Sequence, residues 1–179
     1  MPITLDGRAR RLGDDINTDY IISSARKKES IDGEVLKEYL LERIDPEFAR
    51  SVRPGDVIVA GRNFGCGSAM EVAVTVIQAS GIVAVVAASF SRSFFRNAIN
   101  NGLLVIECDT AGITDGDQIT VTAGDAAPTV EDRTLGLTRR GAALPPIMQE
   151  ILGAGGLVPY LRQRGNFAGD TRRGATGSP

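Results

Sequence analysis

The chain of 179 residues has 20 lysine and arginine residues against 22 aspartate and glutamate residues, and 42% of its residues are hydrophobic. This length and composition predict one globular domain with a sizeable core. The charge balance disfavours a nucleic-acid or basic membrane-surface function. No apolar run reaches the roughly 18 residues of a membrane span, and the N-terminal segment has no apolar core of a signal peptide, so we expect a cytoplasmic protein.

Two cysteines and no histidine limit the chemistry that the chain can perform. Because no export signal is recognised, we expect Cys66 and Cys108 to be reduced thiols rather than a disulfide. The lack of histidine excludes a Ser-His-Asp relay and most zinc sites within this chain. A catalytic group must therefore be of another type, such as serine, cysteine or a charged residue, or must come from another chain.

The first third of the chain is rich in turn-forming and polar residues. Residues 13–24, GDDINTDYIISS, predict a loop that leads into a short strand or bend. Polar residues 25–29 predict an exposed loop, in which Lys27 and Lys28 are solvated. Residues 32–50 have apolar side chains at helical spacing, so they predict one amphipathic helix that begins near Asp32, with a short turn after Pro46.

The middle of the chain alternates between apolar runs and helical patterns. The predicted order is strand 56–60, helix 71–80, strand 81–87, helix 89–100 and strand 103–108. This alternation predicts parallel strands joined by helices, that is, a βαβ unit in an α/β fold.

The last third of the chain predicts an antiparallel pair followed by two helices. Residues 118–122 and 128–137 alternate polar and apolar side chains, with a turn at Gly124 and Asp125. Helices are predicted over residues 145–152, which open with proline, and over residues 157–164. The small and polar residues from Gly165 predict a flexible tail, so we expect one domain over residues 1–164 and a tail over 165–179.

The segment GRNFGCGSAMEVA, residues 61–73, places glycines and Ser68 in front of the predicted helix 71–80. The start of a helix has free backbone N–H groups and a partial positive charge, so the loop is a candidate site for a carboxylate or phosphate. Ser68 and Glu71 also have the spacing of a capping box, so a purely structural cap is an equal interpretation.

Three common motifs do not fit this loop. A P-loop needs a lysine after its glycines, whereas Gly67 is followed by Ser68 and Ala69. A dinucleotide-binding loop needs a third glycine where Met70 stands. We also disfavour Cys66 as a nucleophile, because the chain has no histidine to activate it, although the helix start could lower its pKa.

Four segments resemble motifs of one family, in the family's order: GDDINTDYII, GRNFGCGSAMEVA, ASFSRSFFRNAINNGLL and ILGAGGLVPYLRQR. The family is the small subunit of 3-isopropylmalate dehydratase and homoaconitase, which is the swivel domain of aconitase as a separate chain. The resemblance covers about residues 4–164. It implies a single swivelling β/β/α domain of α/β class, with a central mixed sheet flanked by helices.

The resemblance also implies a function. The small subunit pairs with a large subunit, whose cysteine thiolates hold a [4Fe-4S] cluster that acts as a Lewis acid. Together they are a hydro-lyase that removes and adds water on a malate-like hydroxy-diacid, in leucine biosynthesis for 3-isopropylmalate. We therefore expect this chain to bind no cluster itself, to be inactive without its partner, and to contact neither nucleic acid nor membrane.

Residue roles follow from the same resemblance. The catalytic base, the first serine of the family's G-S-S-R-E motif, matches Ser68, whose alkoxide the helix start would stabilise. The pocket around it would be formed by Asn63, Gly65, Cys66 and Gly67, with Cys66 a packed residue rather than a ligand.

A second group of residues has two interpretations each. Thr18 and Asp19 match the family's D-T-D segment near the active-site entrance, and the alternative is an ordinary turn with side-chain hydrogen bonds. Arg26 lies in the loop that reads the variable group of the substrate, and the alternative is a solvated arginine.

The chain departs from the family motif directly after Ser68. Ala69 and Met70 stand where the family has serine and arginine, and Val72 stands at its histidine. Methionine cannot form the forked ion pair of an arginine with a carboxylate. Three explanations stay open: a differently substituted malate that offers an apolar group to Met70, a replacement arginine such as Arg26, Arg62 or one from the large subunit, or a non-catalytic binding module.

Overall fold

The computed structural model describes residues 3–124 and 126–165. Seven strands in this part of the chain form one mixed sheet: β1 (Ile3–Arg11), β2 (Val57–Ala60), β3 (Ala84–Ala87), β4 (Leu104–Glu107), β5 (Gln118–Ala123), β6 (Thr129–Asp132) and β7 (Leu137–Arg140). Their order in space is β4-β3-β2-β1-β5-β6-β7. Neighbouring strands from β4 to β1 are parallel, and neighbours from β1 to β7 are antiparallel.

Strand β1 joins the two halves of the sheet, and the sequence pattern did not predict it. Its residues from Ile3 to Arg8 pair with β5, and those from Ala9 to Arg11 pair with β2. Arg10 is only 6% exposed and lies over the Phe48 ring at 4.4 Å. An arginine buried in a strand breaks the apolar pattern by which buried strands are recognised.

The βαβ prediction is confirmed in the middle of the chain. Helix α5 (Glu71–Ala79) connects β2 to β3, and helix α6 (Arg92–Asn100) connects β3 to β4. The predicted C-terminal helices are present as α7 (Pro146–Gly153), which has proline in its first turn, and α8 (Leu157–Arg164).

The first third of the chain is more helical than predicted. Helices α1 (Thr18–Ile21) and α2 (Ser24–Glu29) replace the predicted loops. Each begins after a capping side chain, Asn17 for α1 and Ser23 for α2, which accepts a hydrogen bond from a free backbone N–H. The prediction of a loop holds for residues 13–17 and was wrong for residues 18–21 and 24–29, because local caps stabilise helices too short to show a period.

The prediction of a single helix from Asp32 to Pro46 was also wrong, whereas the short turn predicted after Pro46 is present. Asp32 does cap a helix, since its side chain accepts from the N–H of Glu34 at 2.9 Å, but α3 (Gly33–Leu36) is one turn long and continues only as the 3₁₀ turn Lys37–Tyr39. Leu41 has a left-handed φ of 58°, which ends the helical path. A separate short helix, α4 (Phe48–Ser51), follows Pro46.

The core has two layers, one on each face of the parallel strands. Along β2, Ile58 packs with the helices whereas Val57 and Val59 pack with residues of β5 and β6, including Val121 and Val130. This alternation follows from the period of two along a strand. The antiparallel half thus curls over one face while the helices cover the other, which confirms the β/β/α architecture.

The described residues include the predicted boundary of the domain but only the first residue of the predicted tail. Helix α8 ends at the predicted boundary, where Gly165 has a φ of 72°. The rest of the predicted tail, residues 166–179, and Asp125 of the predicted turn lie outside the described residues. Within the described residues, no helix has the length and apolar character needed to cross a membrane.

Candidate active site

The loop of residues 61–70, which we call the glycine loop, connects β2 to α5 at the carboxyl end of a parallel strand. Ligands bind at this edge in open α/β sheets. Two isolated bridges hold the loop, Asn17 with Cys66 on one side and Phe64 with Phe90 on the other. The structure therefore brings the predicted segments around residues 17, 66 and 90 together.

Two acidic residues before α1 fix the start of the loop. Asp14 accepts a hydrogen bond from the backbone N–H of Arg62 at 2.7 Å, which lowers the pKa of that carboxyl. Asp15 accepts from the side-chain amide of Asn63 at 2.8 Å, and the backbone N–H of Asn63 donates to the Ser89 hydroxyl at 2.8 Å. Asn63, predicted to shape the pocket, thus has a left-handed φ of 59° held from both sides.

Thr18 holds the peptide of Ser68. Its backbone N–H donates to the carbonyl of Cys66 and its hydroxyl donates to the carbonyl of Ser68, both at 2.8 Å. With 1% of its surface exposed, Thr18 lies beneath the loop. Its predicted contact with a substrate stays a prediction, whereas its support of Ser68 is a feature of the structure.

Gly65 and Gly67 are glycines for steric reasons. Their φ values are 77° and 92°, which L-residues rarely adopt. A Cβ on Gly65 would lie 2.2 Å from the Phe94 ring, and a Cβ on Gly67 would lie 2.5 Å from the Asn17 side chain. The hydroxyl of Ser91 also donates to the carbonyl of Gly65 at 2.6 Å.

Ser68 does not cap helix α5, so the capping-box prediction was wrong. The helix begins at Glu71, and its N-cap residue is Met70, which is extended and makes no side-chain cap. Ser68 is exposed, and its hydroxyl has no hydrogen-bond partner among residues 3–124 and 126–165. In the same part of the chain, no acceptor takes the backbone N–H groups of Gly67, Ser68 and Ala69. The hydroxyl and these donors are therefore available to a ligand.

The two cysteines are free thiols, as predicted. Burial, followed by the charge of Asp15, raises the pKa of the half-buried Cys66. Burial raises the pKa of Cys108 to about 11. A raised pKa leaves little thiolate at neutral pH, which further disfavours Cys66 as a nucleophile.

Arg26 already has a carboxylate partner. Its Nε and Nη2 donate to the two carboxylate oxygens of Glu42 at 3.0 and 3.2 Å, and its guanidinium lies 3.7 Å from the centre of the Tyr39 ring. The hydrogen bond with Glu42 raises the pKa of Arg26. A substrate carboxylate would have to displace Glu42, so this structure makes Arg26 a weaker candidate for substrate binding.

Asp19 is likewise engaged within the chain. It accepts hydrogen bonds at 2.7 Å from both the backbone N–H and the hydroxyl of Ser24, which lower its pKa, and it forms an ion pair with Arg43. These contacts join α1 to α2 and to the segment after Leu41. In the structure, Asp19 therefore matches the alternative interpretation, a structural residue whose side chain forms hydrogen bonds within the chain.

Met70 faces inward rather than toward an open pocket. It is 5% exposed and packs in the core together with Val72. The Nζ atom of Lys27, on α2, lies 3.0 Å from the Met70 Sδ atom. The prediction that Lys27 is only solvated was therefore wrong, since the side chain reaches across to the glycine loop. No sequence pattern indicated this contact between residues 43 positions apart.

The residues of this chain do not fit an iron–sulfur cluster. A [4Fe-4S] cluster needs a set of cysteine thiolates, and the sequence has two cysteines, both with raised thiol pKa values. In the described parts of the chain, no group of three or more histidine, cysteine, aspartate or glutamate residues is arranged to hold a metal ion.

Comparison with known proteins agrees with this fold and loop. The profile of the Aconitase C-terminal domain family matches residues 17–111, which include the glycine loop and α6. The chain therefore belongs to this family.

Particular relatives narrow the family further. The chain is 45% identical over 162 residues to the 3-isopropylmalate dehydratase small subunit of Moorella thermoacetica, covering 89% of this chain and 96% of that protein. It is 40% identical over 162 residues to the isopropylmalate/citramalate isomerase small subunit of Methanocaldococcus jannaschii, at 89% and 95% coverage. The crystal structure of 3-isopropylmalate dehydratase from Methanocaldococcus jannaschii superimposes with a TM-score of 0.85 at 42% identity, covering 91% of this chain and 96% of that one.

Proposed function

We propose that this chain is the small subunit of a two-subunit hydro-lyase that dehydrates and rehydrates a malate-like hydroxy-diacid, with Ser68 as the catalytic base. The relatives named 3-isopropylmalate dehydratase small subunit support the reaction class. The observation that carries the proposal is the exposed Ser68 hydroxyl beside the backbone N–H groups of Gly67, Ser68 and Ala69, just before α5, for which the described residues provide no acceptor.

In this reaction the base removes a proton from the carbon next to a carboxylate, and hydroxide leaves from the adjacent carbon. A serine hydroxyl acts as a base only when its alkoxide is stabilised. The free N–H groups of the loop and the positive end of α5 supply stabilisation of the correct sign. Thr18 fixes the Ser68 peptide, so the hydroxyl is presented from a rigid backbone.

The cluster and the rest of the pocket are assigned to a large subunit. This chain has too few cysteines for a cluster, and its loop is open toward solvent at Ser68, Gly67 and Ala69. A partner that covers this surface would exclude water from the site and strengthen the interactions of the loop. We therefore expect a cytoplasmic complex that serves leucine biosynthesis if its substrate is 3-isopropylmalate.

Which hydroxy-diacid is the substrate depends on the residues that stand in the glycine loop of this chain. Because Met70 is buried under Lys27, it does not offer an apolar wall to the substrate in this conformation. An alkyl-substituted malate would therefore need its alkyl pocket elsewhere. This observation favours a replacement cation over the hypothesis of an altered apolar contact at Met70.

The test is turnover by the complex reconstituted anaerobically with a candidate iron–sulfur large subunit. The Ser68→Ala variant should lose at least about 100-fold in kcat, because a positioned base contributes about 10²–10⁴-fold. Formation of the unsaturated acid from 3-isopropylmalate and citramalate is followed by absorbance.

The matched control is Ser80→Ala at the other end of α5. Ser80 donates to the Val76 carbonyl at 2.8 Å, so its loss affects only the end of the helix. Full activity of Ser68→Ala would exclude Ser68 as the base. Equal losses in both variants would indicate a structural defect instead.

A further inference from the structure

Ser91 links the glycine loop to the start of helix α6. Its hydroxyl donates to the carbonyl of Gly65 at 2.6 Å, and the same oxygen accepts from the backbone N–H of Phe94 at 3.3 Å as the N-cap of α6. The ring of Phe94 packs directly against Gly65, where an added Cβ would lie only 2.2 Å from it. The first turn of α6 thus holds Gly65 both by a hydrogen bond and by packing.

The backbone of Gly65 is held from two sides. Its N–H donates to the carbonyl of Ile16 at 2.8 Å, in the segment after β1, while its carbonyl accepts from Ser91. Gly65 is buried and has a φ of 77°. Because glycine adopts positive and negative φ about equally readily, its own backbone preference does not keep the peptide in one orientation. The hydroxyl of Ser91 supplies that restraint.

This restraint bears on Ser68, which follows Gly65 closely in the same loop. At the Ser68 end, the hydroxyl of Thr18 donates to the Ser68 carbonyl at 2.8 Å. Two hydroxyl groups, one from each flank, therefore hold the two ends of this stretch. The N–H groups that have no acceptor among the described residues, those of Gly67, Ser68 and Ala69, lie within or beside it. Their direction depends on both anchors.

We propose that Ser91 is a positioning residue of the glycine loop: its hydroxyl fixes the Gly65 peptide and thereby the direction in which the loop presents Ser68 and the N–H groups beside it. This inference rests on the proposed function for the reaction that the loop serves. Donors that are fixed before the reaction stabilise a developing charge without having to reorganise. Without the hydroxyl, the buried carbonyl of Gly65 loses its partner, and the productive geometry becomes one of several that the loop can adopt.

The experiment measures kcat and KM of the Ser91→Gly variant in the reconstituted complex. Glycine is also a good N-cap residue, so this variant removes the hydroxyl while α6 keeps nearly all of its stability. We expect kcat for 3-isopropylmalate or citramalate to fall about tenfold, the contribution of one hydrogen bond, while KM changes less than about twofold. Ser91→Thr keeps both the hydroxyl and a capping side chain, so it should restore kcat to within about threefold of the wild type.

The matched control is Asp32→Gly, at the N-cap of α3. Asp32 caps its helix by accepting from the N–H of Glu34 at 2.9 Å, and no hydrogen bond within residues 3–124 and 126–165 joins its side chain to the glycine loop. Asp32→Gly should therefore change kcat less than about twofold. In an active complex, equal kcat values for Ser91→Gly and Asp32→Gly, or a rise in KM alone for Ser91→Gly, would overturn the inference and leave the proposed function intact.

Amide hydrogen exchange of the full chain without its partner gives a readout that does not need turnover. In Ser91→Gly, the N–H of Gly65 should exchange at least about tenfold faster than in the wild type, because its own carbonyl is no longer held. The N–H of Leu12, which donates to the Val59 carbonyl at 2.8 Å, should exchange as in the wild type. If the wild-type complex is inactive and only Gly65 exchanges faster, the inference about the loop holds and the proposed function fails. If the exchange of Gly65 is unchanged, the inference is wrong whatever the activity of the complex.

Discussion

Gly65 packs against the ring of Phe94, and this contact ties the site to helix α6. The residue combines a φ of 77° with a Cβ position only 2.2 Å from that ring. Phe94 is 2% exposed and also contacts Phe64 edge-on at 5.1 Å between ring centres. The ring cannot move away without disturbing the core, so only glycine fits at position 65.

The Gly65→Ala variant should therefore be destabilised by about 2–5 kcal/mol, which combines about 1–2 kcal/mol for the left-handed backbone with about 1–3 kcal/mol for overpacking. The matched control is Gly136→Ala, where φ is 67° and nothing lies within 4 Å of the added Cβ. That variant should lose only the contribution of the left-handed backbone to the free energy of unfolding, about 1–2 kcal/mol. Urea denaturation measures both; equal losses would show that Phe94 gives way.

Single residues of the site were predictable where the motif itself carries the information. Ser68, Gly65 and Gly67 belong to one contiguous segment whose glycines and serine precede a helix. The contact of Lys27 with Met70 and that of Thr18 with Ser68 join residues distant in the sequence. Such contacts depend on how α1 and α2 pack on the loop, and a local sequence pattern does not predict that packing.

At the scale of elements, the junction of β1 with β2 is stabilised by buried charge. Asp56, 3% exposed, lies 2.7 Å from Arg8 and 3.5 Å from Arg10 across the two strands. Burial acts to raise the pKa of Asp56, but the hydrogen bonds from Arg8 and from the backbone N–H of Arg53 lower it below its ordinary value. The ionised form therefore stabilises the fold.

This ion pair predicts a dependence of stability on pH. Because the folded pKa of Asp56 is depressed, the unfolded chain binds its proton more readily, so the stabilisation is complete above the unfolded value of about 3.9. It is lost as the pH falls through the folded pKa. The free energy of unfolding of the wild type, measured in urea, should thus decline below about pH 4.

The Asp56→Asn variant tests the source of that decline. Removing Asp56 leaves the buried guanidinium of Arg10 with only the exposed carboxylate of Asp115 at 3.6 Å, so the variant should lose about 3 kcal/mol at neutral pH. The difference between wild type and variant should narrow at low pH, where Asp56 is protonated in both the folded and unfolded wild type. A difference that stays constant down to pH 3 would contradict this account; Asp45→Asn, in the turn before α4, is the exposed control.

Elements were predictable from sequence where one period runs over many residues. Helices α5 and α6 and strands β2, β3 and β4 were predicted with ends within a few residues, because each is bounded by turns and has a continuous apolar face. Strand β1 was not predicted because it contains the buried Arg10. Asp56 forms an ion pair with Arg10, and the folded structure alone brings the two residues together. The short helices α1 and α2 depend on caps rather than on a period.

At the scale of the molecule, the sheet places the glycine loop at an exposed edge where a second subunit can reach it. The parallel half presents the loop, and the antiparallel half covers the opposite face of the same strands. The α/β class followed from the alternation of elements, whereas the curl of the sheet did not, because local pattern says nothing about how two halves fold together. The resemblance to the family supplied that part.

The most direct test of the account is the formation of an unsaturated acid by the complex of this chain with its large subunit, reconstituted anaerobically and supplied with 3-isopropylmalate or citramalate. The account predicts steady turnover by the complex and none by either subunit alone, since we propose the base on this chain and the cluster on its partner. A stable complex with an intact cluster that converts no malate derivative would contradict it, and the chain would then be a non-catalytic member of its family.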